Sequence, residues 1–137
     1  MNEQEIQQSL IAYQLMQRHM EELKQQTVLV ERKFLELEAS KQAISDVSKL
    51  KEGHEILIPL GSESYTYANI TGMKNILVDV GAGIFVNKDI ESAVGLIDKK
   101  KEELEQAHKE IQNQINNIAS QMNVIAENFE KEQQKKK

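Results

Sequence analysis

Apolar residues recur at alternating three- and four-residue spacing along two long stretches, one toward each end of the chain. The first runs Ile6, Ser9, Tyr13, Met16, Met20, Leu23, Thr27, Val30, Phe34, Leu37, Lys41, Ile44 and Ser48, and nine of its thirteen positions are apolar. The second runs Ile90, Val94, Ile97, Lys101, Leu104, His108, Ile111, Ile115, Ile118, Met122, Ile125 and Phe129, with ten of twelve apolar. A 3,4 spacing sustained this long exceeds what one amphipathic helix shows and predicts a coiled coil. The stripes match in length and a chain reversal lies between them, so they are expected to pair as one antiparallel hairpin. At about 1.5 Å per residue the first stripe would extend about 65 Å, a shape suited to holding or reaching rather than to enclosing a reaction. In the aligned register Tyr13 meets Ile125, Met16 meets Met122, Met20 meets Ile118 and Phe34 meets Leu104. Each polar seam residue then faces an apolar one: Thr27 with Ile111, His108 with Val30, Lys101 with Leu37, Lys41 with Ile97. The lysine stems can lie along the seam with their ammonium groups in water.

Between the stripes the pattern changes to strand chemistry. Glu55 to Leu60, Ser64 to Ile70, Asn75 to Val80 and Gly83 to Asn87 read as strands, separated by Gly61-Ser62-Glu63, Thr71-Gly72-Met73 and Gly81-Ala82, which predicts two β-hairpins. Several strands are apolar on both faces, because Ile56, Ile58 and Leu60 alternate with Leu57, and Ile76, Val78 and Val80 alternate with Leu77. Four short strands cannot bury both faces alone, so the insert is expected to be an assembly module, with Ile56, Leu57, Ile58, Leu60, Ile76, Leu77, Val78, Val80, Ile84, Phe85 and Val86 at an oligomer interface. Pro59 lacks a donor and marks an edge or a bulge. The expected fold class is α+β: a long antiparallel two-helix coiled coil with a two-hairpin β insert that joins a multi-subunit β-barrel. One domain covers 1–137, divided as 1–53 for the first helix, 54–88 for the hairpins and 89–137 for the second helix. Asn2 with Glu5 predicts a capping box, Asn87 or Asp89 the start of the second helix, and Gly53 a residue able to take positive φ after the first.

Composition narrows the classes. With 137 residues, 39% hydrophobic and 4% aromatic, the chain is thin for a compact core. A net charge of -5, with no Arg-rich or aromatic-interleaved stretch, argues against nucleic acid as partner. The Lys135 to Lys137 run reads as a frayed, solvated tail. Cysteine is absent, which fits a reducing compartment and excludes disulfides and thiolate zinc sites. No apolar leader opens the chain and no apolar run is long enough to span a bilayer, so no membrane association and a cytoplasmic location are expected.

The stretches Glu55-Ile56-Leu57-Ile58-Pro59-Leu60-Gly61 and Ile76-Leu77-Val78-Asp79-Val80-Gly81-Ala82-Gly83-Ile84-Phe85-Val86-Asn87-Lys88, followed by Asp89-Ile90-Glu91-Ser92-Ala93, resemble the α class of the prefoldin family, which has two hairpins where the β class has one. The resemblance covers essentially the whole chain. It implies an ATP-independent co-chaperone of archaeal type: a hexamer of two α and four β prefoldin subunits with a β-barrel body and six projecting coiled coils. In that family the arm ends grip unfolded or nascent polypeptide and hand it to a group II chaperonin. A structural coiled-coil scaffold or filament-forming tether is the alternative.

No residue set points to catalysis. Gly81-Ala82-Gly83 has the first glycines of a dinucleotide loop, but Val86 stands where the third would fall and no βαβ unit surrounds it. His19, His54 and His108 lack metal-ligand spacing, and no P-loop or nucleophile, base and carboxylate set is present. The chain is expected to be no enzyme and to need neither metal nor cofactor. One asymmetry remains: residues 6–17 and 111–126 contain no charged side chain. Leu10, Ile11 and Leu15 also lie outside the strict seam. A charge-free surface of Met, Ile and Leu among Gln and Asn suits weak binding of varied chains, so Ile6, Leu10, Ile11, Tyr13, Leu15, Ile118, Met122, Ile125 and Phe129 are the candidate substrate-binding residues at the arm tip.

Overall fold

The computed structural model describes residues 2–72 and 75–136. Met73, the last residue of the second expected turn, and Lys137 lie outside them. Six elements follow in order: α1 (Glu3–Ser48), β1 (Glu55–Gly61), β2 (Ser64–Asn69), β3 (Asn75–Gly81), β4 (Ile84–Asp89) and α2 (Ile90–Lys135).

The helix starts are fixed by side chains. The Asn2 backbone N–H donates to Glu5 Oε2 at 3.0 Å and the Glu5 N–H donates to Asn2 Oδ1 at 2.8 Å, a reciprocal box that satisfies amides with no helical acceptor. At α2 the Ser92 N–H donates to Asp89 Oδ1 at 2.7 Å. That backbone bond, with a second from the Ser92 side chain, holds the Asp89 carboxyl below its ordinary value of 3.8. The first helix ends at Ser48, ahead of Gly53. Gly53 does take positive φ, but its N–H donates to the Ile70 carbonyl and the Ile70 N–H donates to the His54 carbonyl. Its left-handed conformation therefore closes the open end of the first hairpin instead of terminating the helix. The second hairpin keeps its ladder through Asp89, so β4 runs directly into α2.

The hairpins form two separate two-stranded antiparallel sheets, β1-β2 and β3-β4. Their registers repeat with an offset of twenty residues: Ile56↔Ala68 answers Ile76↔Lys88, Leu57↔Tyr67 answers Leu77↔Asn87, and Pro59↔Tyr65 answers Asp79↔Phe85. Both ladders shift just before the turn, at Pro59/Gly61 and Asp79/Gly81, so Leu60 and Val80 are the extra residues of two equivalent bulges. The turns match as well. Ser62 and Glu63 take φ of 47° and 62°, and Ala82 and Gly83 take 52° and 73°, the two positive values of a type I′ turn.

By contact density the chain divides into two units, Phe34–Glu102 and Met1–Lys33 with Glu103–Lys137. In both, the buried stripe follows the sequence periodicity. Each of the thirteen seam positions of α1 and the twelve of α2 is half-buried or buried, because a 3,4 repeat keeps those side chains toward the partner helix. Leu23, 2% exposed, is the most enclosed seam residue, and Leu37 follows it. Thr27, polar within the seam, satisfies its hydroxyl locally by donating to the Leu23 carbonyl at 3.0 Å, the usual recourse of a threonine inside a helix.

Candidate functional surfaces

The polar seam residues are where the structure adds most. In the Phe34–Glu102 unit, Lys41 Nζ lies 2.7 Å from Asp98 Oδ1, and Lys101 Nζ lies 3.5 Å from Glu38 Oε1 and 5.0 Å from the Phe34 ring centre. In the other unit His108 Nε2 lies 3.6 Å from Glu31 Oε1. In every pair the residue numbers sum to 139. The lysine or histidine occupies a seam position and the acid flanks the seam on the opposite helix, one residue beyond the one it directly faces. Lys101 sits between Phe34 and Glu38, in the turn that holds Leu37, as the aligned register requires. Its ammonium group is not in open water, however: the side chain is only 18% exposed, held by carboxylate and ring together. Glu31, Glu38 and Asp98 are not seam residues, and their signal in the sequence is the placing of an acid just outside the seam opposite each seam lysine or histidine.

The candidate tip residues separate into two kinds. Ile6, Tyr13, Ile118, Met122, Ile125 and Phe129 are half-buried on the seam. Leu10, Ile11 and Leu15 are 47%, 52% and 57% exposed, and Val124, absent from the expected set, is 56% exposed. Exposed aliphatics on the sides of a coiled coil add nothing to the seam, so within the charge-free stretches these four are free to touch another molecule; Val28, Leu29 and Leu35 are also exposed on α1, but on stretches that carry charged side chains. Residues 10–17 and 119–126 belong to the same unit and contain no charged side chain.

On the hairpins, cross-strand partners share a face. Ile56 and Ala68, and likewise Ile76, Val78 and Lys88, are half-buried. The opposite face carries Leu57, Pro59, Tyr65 and Tyr67 in the first hairpin and Leu77, Asp79, Phe85 and Asn87 in the second, all exposed. Tyr67, 73% exposed, and Tyr65 were not among the expected interface residues, although they are paired with Leu57 and Pro59. Leu60, Val80 and Ile84 near the turns are also exposed, with Ile58 and Val86 less so. The second hairpin has an internal brace the first lacks: the Gly81 N–H donates to Asp79 Oδ1 at 2.8 Å, at the place occupied by Pro59. Among the described residues no three or more His, Cys, Asp or Glu side chains could jointly hold a metal ion, and no helix is long and apolar enough to cross a membrane.

Comparison with known proteins fits this geometry. The family model described as Prefoldin subunit matches residues 16–135. The chain is 30% identical over 113 residues to prefoldin subunit alpha of Thermofilum pendens, covering 82% of this chain and 88% of that one. It is 26% identical over 135 residues to prefoldin subunit alpha of Pyrococcus horikoshii, covering 98% and 91%. Among solved structures, a filamentous PFD from Methanocaldococcus jannaschii superposes with a TM-score of 0.75 at 21% identity, covering 88% of this chain and 98% of that one.

Proposed function

Since the chain belongs to the prefoldin family, in its alpha class, and is a subunit of a prefoldin chaperone, we propose that its hairpins join it to prefoldin beta subunits, two alpha to four beta, and that its coiled-coil end holds unfolded or nascent polypeptide. Holding needs no ATP, and the client then passes to a group II chaperonin. The observation that carries the holding role is the set of exposed Leu10, Ile11, Leu15 and Val124 on a segment without charge. An apolar surface of this kind offers dispersion contact and burial to any non-native chain without demanding a particular sequence. Assembly rests on the hairpins, whose exposed Leu57, Tyr67, Leu77 and Phe85 would otherwise leave apolar faces and unpaired strand edges in water.

The deciding experiment follows light scattering as a chemically unfolded test protein is diluted with and without the assembled complex. Suppressed scattering that disappears when Leu10, Ile11, Leu15 and Val124 become Ser, with assembly retained, supports the proposal. Undiminished suppression by that variant, in a complex whose beta arm tips are also trimmed, removes the tip from the mechanism. The competing reading, a filament-forming tether, draws on the same exposed hairpins, which would serve self-assembly equally well. Sedimentation of the chain with and without beta subunits separates the two: filaments that persist alongside beta subunits and suppress no scattering favour the tether.

A further inference from the structure

The tip surface is neutral on both helices. Residues 10–17 of α1 and 119–126 of α2 carry no Asp, Glu, Lys, Arg or His, and their exposed side chains beyond the four aliphatics are Gln, Asn or Ser. The nearest charges bounding the neutral stretches are Glu5 and Arg18 on α1 and Glu110 and Glu127 on α2, three acids and one base that all lie outside the two eight-residue bands, so the band itself offers a client charge of either sign no partner. A side-chain amide offers both donors and an acceptor, and can meet either the N–H or the C=O of an extended chain. A client charge laid on this surface would lose water and gain no partner, whichever its sign. Eight helical residues extend about 12 Å, which matches about four residues of extended polypeptide. We propose that this end of the coiled coil selects clients by neutrality: it takes short uncharged aliphatic stretches of non-native polypeptide without regard to the client's net charge. The inference rests on the holding role proposed above and names the substrate class of that same surface.

The test uses the full chain in its assembled complex and fluorescent peptides that share one four-residue aliphatic centre. Three peptides are flanked by Lys, by Asp or by Ser; two more carry an Asp or a Lys within the centre itself. Anisotropy titrations are run at low and at high salt. The three flanked peptides are expected to bind within about twofold of one another at both salt levels, since no charge lies on the band itself to be screened. Both interrupted peptides are expected to bind at least about tenfold more weakly. A Lys-flanked and an Asp-flanked peptide that differ by about tenfold at low salt and converge at high salt would overturn selection by neutrality. A Gln14→Lys, Gln17→Lys, Gln121→Lys variant should acquire a preference for the Asp-flanked peptide that salt removes; unchanged behaviour would show that clients do not lie on this band. A Leu10→Ser, Ile11→Ser, Leu15→Ser variant of unaltered helicity separates the two levels. If it binds every peptide as the parent does, the holding role of the tip fails. If it loses them while the parent discriminates by charge sign, only the neutrality rule fails.

Discussion

The seam around Phe34–Lys41 and the band at residues 10–17 belong to one helix and one heptad repeat, yet they spend their side chains differently. Around Phe34–Lys41, cations occupy seam positions and are answered by acids on the opposite helix, partners that a shift of register would separate. Leu35 points outward there too, but beside charged neighbours; in the tip band nothing is charged, and the outward aliphatic side chains stand among neutral ones, where they contribute little to the pairing of the helices. The same periodic template therefore supports fixity in one place and availability in another. What decides between them is the chemistry of the positions beside the seam.

That contrast can be broken most forcefully by shortening one aliphatic side chain in each region. Leu37→Ala, at a buried seam position, is expected to cost about 2–4 kcal/mol in urea unfolding. Leu15→Ala should stay within about 0.5 kcal/mol while client holding falls. Equal losses would mean that the tip is packed as tightly as the rest. A second experiment asks whether charge fixes register. Lys101→Ala removes the contacts to Glu38 and Phe34 and should cost about 1 kcal/mol, with Glu38→Gln adding little once Lys101 is gone. Lys101→Leu should be more stable than the parent but slip more readily, seen as cysteine crosslinks between Met16 and Met122 positions giving way to pairs offset by a heptad.

Smaller effects come from the elements joining the helices. Glu63 is held at φ of 62° where the equivalent residue of the second hairpin is Gly83. Glu63→Gly should therefore stabilise the first turn by up to about 1 kcal/mol, measured by thermal unfolding. The slightest change concerns pH. The Asp89 carboxyl is held down by the Ser92 N–H, so the stability its cap contributes is present above the unfolded value near 3.8 and is lost as pH falls through the lower folded value. Asp89→Asn should flatten the fall in helicity over that acid range; an unchanged acid limb would mean that the cap contributes nothing.

The helices were legible because a seam imposes its period on the sequence whatever surrounds it, and every seam position read there is buried to some degree. Capping at Asn2 and Asp89 was legible for a similar reason, since it is local chemistry over three residues. Gly53 was misplaced because positive φ has more than one use, and its bond to Ile70 joins residues that the sequence keeps well apart. The ion pairs were missed for a related cause: a seam lysine reaches diagonally to a flank acid, which a listing of directly facing residues omits. At the tip, periodicity placed Ile6, Tyr13, Ile118, Met122, Ile125 and Phe129 correctly on the seam, and that same position limits what they can offer a client.

The twin hairpins also govern how the chain finds its structure. Each closes over a two-residue turn with pairing partners close in sequence, so both can form early, on the microsecond scale of isolated hairpins, although lasting stability needs cover for their faces. Once formed, they shorten the free loop between α1 and α2, and each halving of such a loop lowers the entropy of closure by about 0.6 kcal/mol. Pairing of the helices close to the hairpins, where Lys41 meets Asp98, closes the shorter loop and is expected to precede pairing farther along. Opening runs the other way. Amide hydrogen exchange should therefore be faster along residues 6–17 than around Leu23 and Leu37, the most enclosed seam positions, and a charge-free band that opens this readily would adapt its shape to whatever it meets.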